Sequence, residues 1–117
     1  MKAIIDLAKR GAVFKTAAQQ WAAAKTGKSA DYHLHFESAR ALFAELTPAR
    51  IELLDTLRSL GPSSVYALAK AAQRNYSNVH TDTAALERLG LVQRDSVDSV
   101  LVPFDTIEIR LALSTAA

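Results

Sequence analysis

Three short apolar-periodic segments crowd into the stretch from Thr47 to Leu89, separated by breaks of only a few residues. Thr47-Pro48 opens the first with a hydroxyl N-cap and proline at the first helical position. Ile51, Leu54, Leu57 and Leu60 form its inner stripe, and Gly61-Pro62 stops it. Ser64 caps a second helix with an inner face of Val65, Leu68, Ala69 and Ala72. A break at Arg74-Asn75 leads into a third helix, Tyr76 to Leu89, with Val79, Thr83, Leu86 and Leu89 facing inward and Gly90 ending it. Leu91–Asp95 and Val100–Phe104, on either side of a polar turn at Ser96–Ser99, read as a β-hairpin. Ala67, Ala69, Ala71 and Ala72 make the second helix thin enough for another to cross it closely, and the short link demands that it does. The order helix, helix, short turn, helix, hairpin predicts a winged helix-turn-helix.

The flanks carry different periods. Ile4, Leu7, Phe14, Ala18 and Trp21 fall on one helical stripe if Gly11 is included, which predicts an N-terminal helix. Thr26-Gly27-Lys28-Ser29 is a turn. From Asp31 to Glu37, Tyr32, Leu34 and Phe36 alternate with His33 and His35, the pattern of a half-buried strand. Thr106 to Leu113 alternates Ile107, Ile109, Leu111 and Leu113 with polar or small residues and predicts a further strand, paired with 31–37. The expected fold class is α+β, mainly α: a winged helix-turn-helix with an N-terminal helix and strand appended. Residues 1–30 form a basic helical arm, and 31–117 the DNA-binding domain.

At 117 residues the chain is the size of one domain. With no cysteine it has neither disulfide scaffold, thiolate metal site nor thiol nucleophile. The longest charge-free stretch, Ser59 to Ala69, is far short of the ~18 apolar residues of a membrane span. No charged segment leads into an apolar core and cleavage site, so a cytoplasmic protein away from membranes is expected. The formal charge of +2 is unevenly placed, since Lys2, Lys9, Arg10, Lys15, Lys25 and Lys28 face Asp6 alone in residues 1–28. Between residues 62 and 94, Lys70, Arg74, Arg88 and Arg94 outnumber Asp82 and Glu87. A weakly basic surface of this kind supports modest attraction to nucleic acid.

At 100° per residue, the side of the third helix opposite Val79 and Leu86 carries Ser77, Thr81, Ala84 and Arg88, flanked by Asn78 and His80. These small or hydrogen-bonding residues suit a helix lying against base edges, where a merely solvated face would more often carry Glu and Lys. Asn78 and His80 are candidates for base contact, and Ser77 and Thr81 for bases or phosphates. Arg74, Tyr76, Arg94 and the Ser96 and Ser99 hydroxyls suit phosphates, and Ser64, opening the second helix, joins the DNA-binding set. A polar face of the same kind also serves recognition of a protein.

The run Leu46-Thr47-Pro48-Ala49-Arg50 through Leu60-Gly61-Pro62, then Leu68-Ala69, Arg74-Asn75-Tyr76-Ser77-Asn78-Val79-His80, Leu89-Gly90-Leu91-Val92 and Val102-Pro103-Phe104-Asp105, resembles MarR-like winged-helix DNA-binding proteins of prokaryotes. Some of those serve as antitoxins beside a small toxin gene. The similarity covers about residues 31–113 and is most specific from Arg74 to His80. It implies DNA binding, autoregulation and a toxin partner. Thr81 stands where the relatives carry a basic residue, which weakens phosphate or base contact there. Thr83 replaces an aliphatic residue and weakens the core.

Other chemistry is thin. His33 and His35 point the same way and form a conceivable metal pair, but no third or fourth ligand has suitable spacing and Asp31 and Glu37 on the same face serve solubility equally well, so no metal is expected. Near neutrality His80 is either a neutral contact or a pH switch. Asp82, at the inner edge of the third helix, is expected to pair with an arginine of the first. No Gly-rich phosphate loop or nucleophile elbow occurs, so neither catalysis nor a cofactor is expected. Leu7, Phe14 and Trp21 on a basic helix serve the core, a dimer interface or an anionic membrane surface; the dimer reading gives a two-fold reader of DNA. The leading expectation is a homodimeric, sequence-specific regulator on double-stranded DNA. Its alternative is an antitoxin or protein-interaction module that binds a small toxin and autoregulates its operon.

Overall fold

The computed structural model describes residues 1–7 and 31–113. In chain order its elements are β1 (Lys2–Leu7), β2 (Tyr32–Phe36), α1 (Ala39–Glu45), α2 (Pro48–Leu60), α3 (Val65–Ala72), α4 (Tyr76–Arg88), β3 (Gln93–Ser96), β4 (Ser99–Leu101) and β5 (Thr106–Arg110). They divide into two compact units, Met1–Ala44 with Asp105–Ala117, and Glu45–Phe104.

The first unit is built on a three-stranded, all-parallel sheet in the order β2-β1-β5. Ile4 lies opposite His33 and Glu108, and Asp6 opposite His35 and Arg110. Aligned residues in neighbouring strands point to the same side, so one face carries Lys2, Ile4, Asp6, His33, His35, Glu108 and Arg110. The other carries Ala3, Ile5, Leu7, Tyr32, Leu34, Phe36, Ile107 and Ile109. Ala3, Ile4 and Ile5 are all buried, as the central strand of a parallel sheet requires. α1 follows β2, with the Ser38 hydroxyl accepting from the Ala41 N–H at 3.1 Å.

This sheet overturns the expected fold class. The described residues form a small α+β fold of four helices and five strands in two sheets, not a mainly α winged helix-turn-helix with a helix and one strand appended. The segment around Ile4 and Leu7, expected to be helical, is β1. A short run such as Ala3-Ile4-Ile5 fits a buried parallel strand and a buried helix turn equally by spacing, and two adjacent β-branched residues favour the strand. The two predicted outer strands share this sheet but do not touch as a pair, because β1 lies between them.

The second unit consists of α2, α3 and α4, which pack on one another, and the antiparallel β3-β4 ribbon. Thr47 Oγ1 accepts from the Arg50 N–H at 3.3 Å, Ser64 Oγ from Ala67 at 3.0 Å, and Asn75 Oδ1 from Asn78 at 3.2 Å, capping the three helices in turn. Gly61 ends α2 at φ +84°, where a side chain would be strained. Gln73 ends α3 in the left-handed conformation, turning the chain into α4 within three residues. Leu53, Leu54, Leu57, Leu68, Val79, Leu86, Leu91, Val100 and Phe104 supply the core. On α2 the buried stripe runs through Leu53, Leu54 and Leu57, leaving the expected Ile51 and Leu60 41% and 45% exposed.

Candidate functional site

The one-sided character of α4 defines the candidate surface. Val79, Thr83, Ala85 and Leu86 are buried, which turns the opposite side outward. Ser77, Thr81 and Arg88 are exposed there, Asn78 and His80 are exposed on its flanks and Tyr76 at the start of the helix, and no carboxylate lies in the first turn. The Thr81 hydroxyl donates to the Ser77 carbonyl at 3.1 Å, so it sits against its own helix, leaving the Asn78 amide and the His80 ring to reach outward. Tyr76 stands between two neighbours, its ring centroid 5.9 Å from His80 and 6.5 Å from Tyr66. Tyr66, 67% exposed on the first turn of α3, is a member of this row that sequence reasoning missed. Its signal was present: it lies off the Val65, Leu68 and Ala69 stripe.

Ser64, Arg74 and Arg94 are engaged within the protein. Ser64 is half-buried, its hydroxyl taken by the cap of α3. Asp82 holds two arginines: Arg50 Nε donates to Oδ1 at 3.0 Å, and Arg74 Nη2 to Oδ2 at 2.7 Å. Burial pushes the Asp82 carboxyl up, but the hydrogen bonds and charges of Arg74 and Arg50 outweigh it and hold the group below the ordinary aspartate value. Asp82 therefore ties the start of α2 and the α3–α4 turn to α4. Arg94 grips Glu87 with two hydrogen bonds of 3.2 and 3.0 Å and donates to the Val97 carbonyl at 3.0 Å, which fixes the ribbon turn to the last turns of α4. Lys70 and Arg88 remain exposed and without an ion pair among the described residues of this unit.

Of the expected dimer residues, Leu7 lies half-buried in β1, and Phe14 and Trp21 fall outside the described residues. His33 and His35 stack with ring centroids 6.4 Å apart, and His35 Nδ1 meets the carboxylate of Asp6 on the adjoining strand. No group of three or more metal-ligating side chains occurs among the described residues. No described helix is long and apolar enough to cross a membrane.

No curated protein and no solved structure matches the chain. A family model described as HVO_A0114 matches residues 45–109, from the end of α1 through the three capped helices and the ribbon into β5. That match spans more than half of the sequence, and the chain belongs to the HVO_A0114 family.

Proposed function

We propose that residues 45–104 bind double-stranded DNA with the exposed side of α4 in the major groove, and that the chain regulates transcription as a sequence-specific homodimer. The observation that carries the reading is the division of α4 into a buried apolar side and an exposed side of small polar residues, with no carboxylate in its first turn. An α-helix fits the major groove, and an asparagine amide can both donate to and accept from adenine. The positive end of the α4 dipole favours a nearby phosphate. The MarR-like resemblance around Arg74–His80 points to the same partner.

The engaged arginines change how the contact divides. Arg74 and Arg94 act as positioning residues for α4 and the ribbon, while Lys70 and Arg88 supply the free charge. A mobility-shift titration with DNA from upstream of the gene and with random DNA tests this. Lys70→Ala and Arg88→Ala are expected to weaken both DNAs alike. Asn78→Ala is expected to erode the preference for the upstream DNA roughly 5- to 150-fold, the equivalent of about 1–3 kcal/mol per good base contact. Unchanged binding in all three variants rejects the assignment of this face.

A further inference from the structure

β5 is an edge strand with an unfinished pattern. It pairs with β1 on one side, and on its other side no described strand follows. The strand ends at Arg110, where its register with β1 ends at Asp6, yet the alternation of apolar residues continues through Leu111 to Leu113. Ile109, Leu111 and Leu113 are 38%, 44% and 88% exposed. A long apolar edge left open invites pairing with another strand, and natural proteins generally blunt such edges or cover them.

We propose that the occupant of this edge is β5 of a second copy, paired antiparallel about a two-fold axis at Ile109, so that two three-stranded sheets join into one of six. The sequence is self-complementary in this register. Glu108 meets Arg110 of the partner subunit, and Arg110 meets Glu108 of the partner subunit. On the opposite face Ile109 meets its own counterpart, and Ile107 meets Leu111 of the partner subunit. Within one copy, Arg110 already reaches Glu108 at 2.9 Å, and Lys2 reaches the other carboxylate oxygen at 3.3 Å. The charges are thus gathered on one face of the strand and the apolar residues on the other, as cross-strand pairing requires. A two-fold contact of this type is isologous and closes on itself, so assembly stops at two. The other edge is a poorer candidate: antiparallel pairing of β2 about Leu34 sets histidine against histidine, and its five residues are all already half-buried. The inference concerns only the sheet unit and stands whether or not α4 reads DNA.

Sedimentation of the full chain tests it. The wild type is expected at about twice the 12.7 kDa chain mass. Glu108→Arg alone and Arg110→Glu alone set like charges against each other across the axis, and each is expected to sediment as a monomer. An equal mixture of the two variants restores opposite charges at both contacts and is expected to return to dimer mass. Far-UV circular dichroism of each variant separates loss of pairing from loss of fold, and recovery in the mixture requires folded chains in any case. A monomeric wild type overturns the proposal, as does a dimer that persists in both single variants. A mixture that stays monomeric overturns the register.

Discussion

Thr83 offers a test of the core that supports α4. It is 1% exposed on the inner side of that helix, and its Oγ1 has no hydrogen-bond partner. A hydroxyl removed from water without a replacement bond costs about 1–3 kcal/mol. Valine fills nearly the same volume with a methyl in place of the hydroxyl, and the two residues have comparable helix propensities. Thr83→Val therefore removes the desolvation cost and creates no cavity, and a gain of about 1–2 kcal/mol is expected. At an m-value of about 1–2 kcal/mol/M, usual for a small protein in urea, the unfolding midpoint rises by roughly 0.5–2 M. The assay is urea unfolding followed by far-UV circular dichroism, with an unchanged slope as the sign that only stability moved. A midpoint that stays put or falls refutes the reasoning, because it means the hydroxyl is compensated in the folded chain.

Two further outcomes follow from the charges. The Asp82 carboxyl titrates below its unfolded value of about 3.9, so its stabilisation is present above that pH and is lost as pH falls through the lower folded value. Asp82→Asn should cost about 2 kcal/mol at neutral pH, less than the ~3–5 of a fully buried pair because Arg50 and Arg74 are 18% and 30% exposed, and should flatten the acid limb of stability against pH. Parallel curves for wild type and variant would falsify this. In DNA binding, Lys70 and Arg88 alone, taken over both protomers of a dimer, are expected to contribute about −3.6 to the slope of log K against log salt. A slope that is unchanged when Lys70 and Arg88 are both replaced by alanine refutes the assignment of phosphate contacts to these two residues.

Local chemistry made much of the second unit legible. Thr47 and Ser64 announce two helix starts, each a short side-chain oxygen ahead of an apolar stripe, while Asn75, read only as part of a break, proves to cap the third. The burial of Val79, Thr83 and Leu86, and with it the exposure of Ser77, Asn78, His80 and Thr81, follows from 100° geometry. Asp82 does pair with an arginine of the helix expected, Arg50. The parallel sheet was illegible because its pairings are remote: β1 meets partners about 30 and 104 residues away, and Ala3-Ile4-Ile5 carries no period that separates strand from helix. α1 passed unread although Ser38 caps it, since a seven-residue helix with Leu42 alone fully buried leaves almost no stripe. At the candidate site, residue types pointed to a phosphate role for Arg74 and Arg94. Their capture by Asp82 and Glu87 depends on which carboxylate the folded backbone brings within reach, and one-dimensional spacing does not encode that.

The sheet order also sets a timetable for synthesis. The middle strand leaves the ribosome ahead of both its neighbours, and one of these leaves after the four described helices, with the Met1 carbonyl accepting from the Asp105 N–H once it arrives. Glu45–Phe104 finds its contacts within its own sixty residues and can consolidate while translation continues. Until β5 is made, the β1–β2 pair lacks its second neighbour and leaves one edge of Ile4 and Ile5 uncovered, and a premature stop just beyond Phe104 would leave that edge for chaperones and proteases to find.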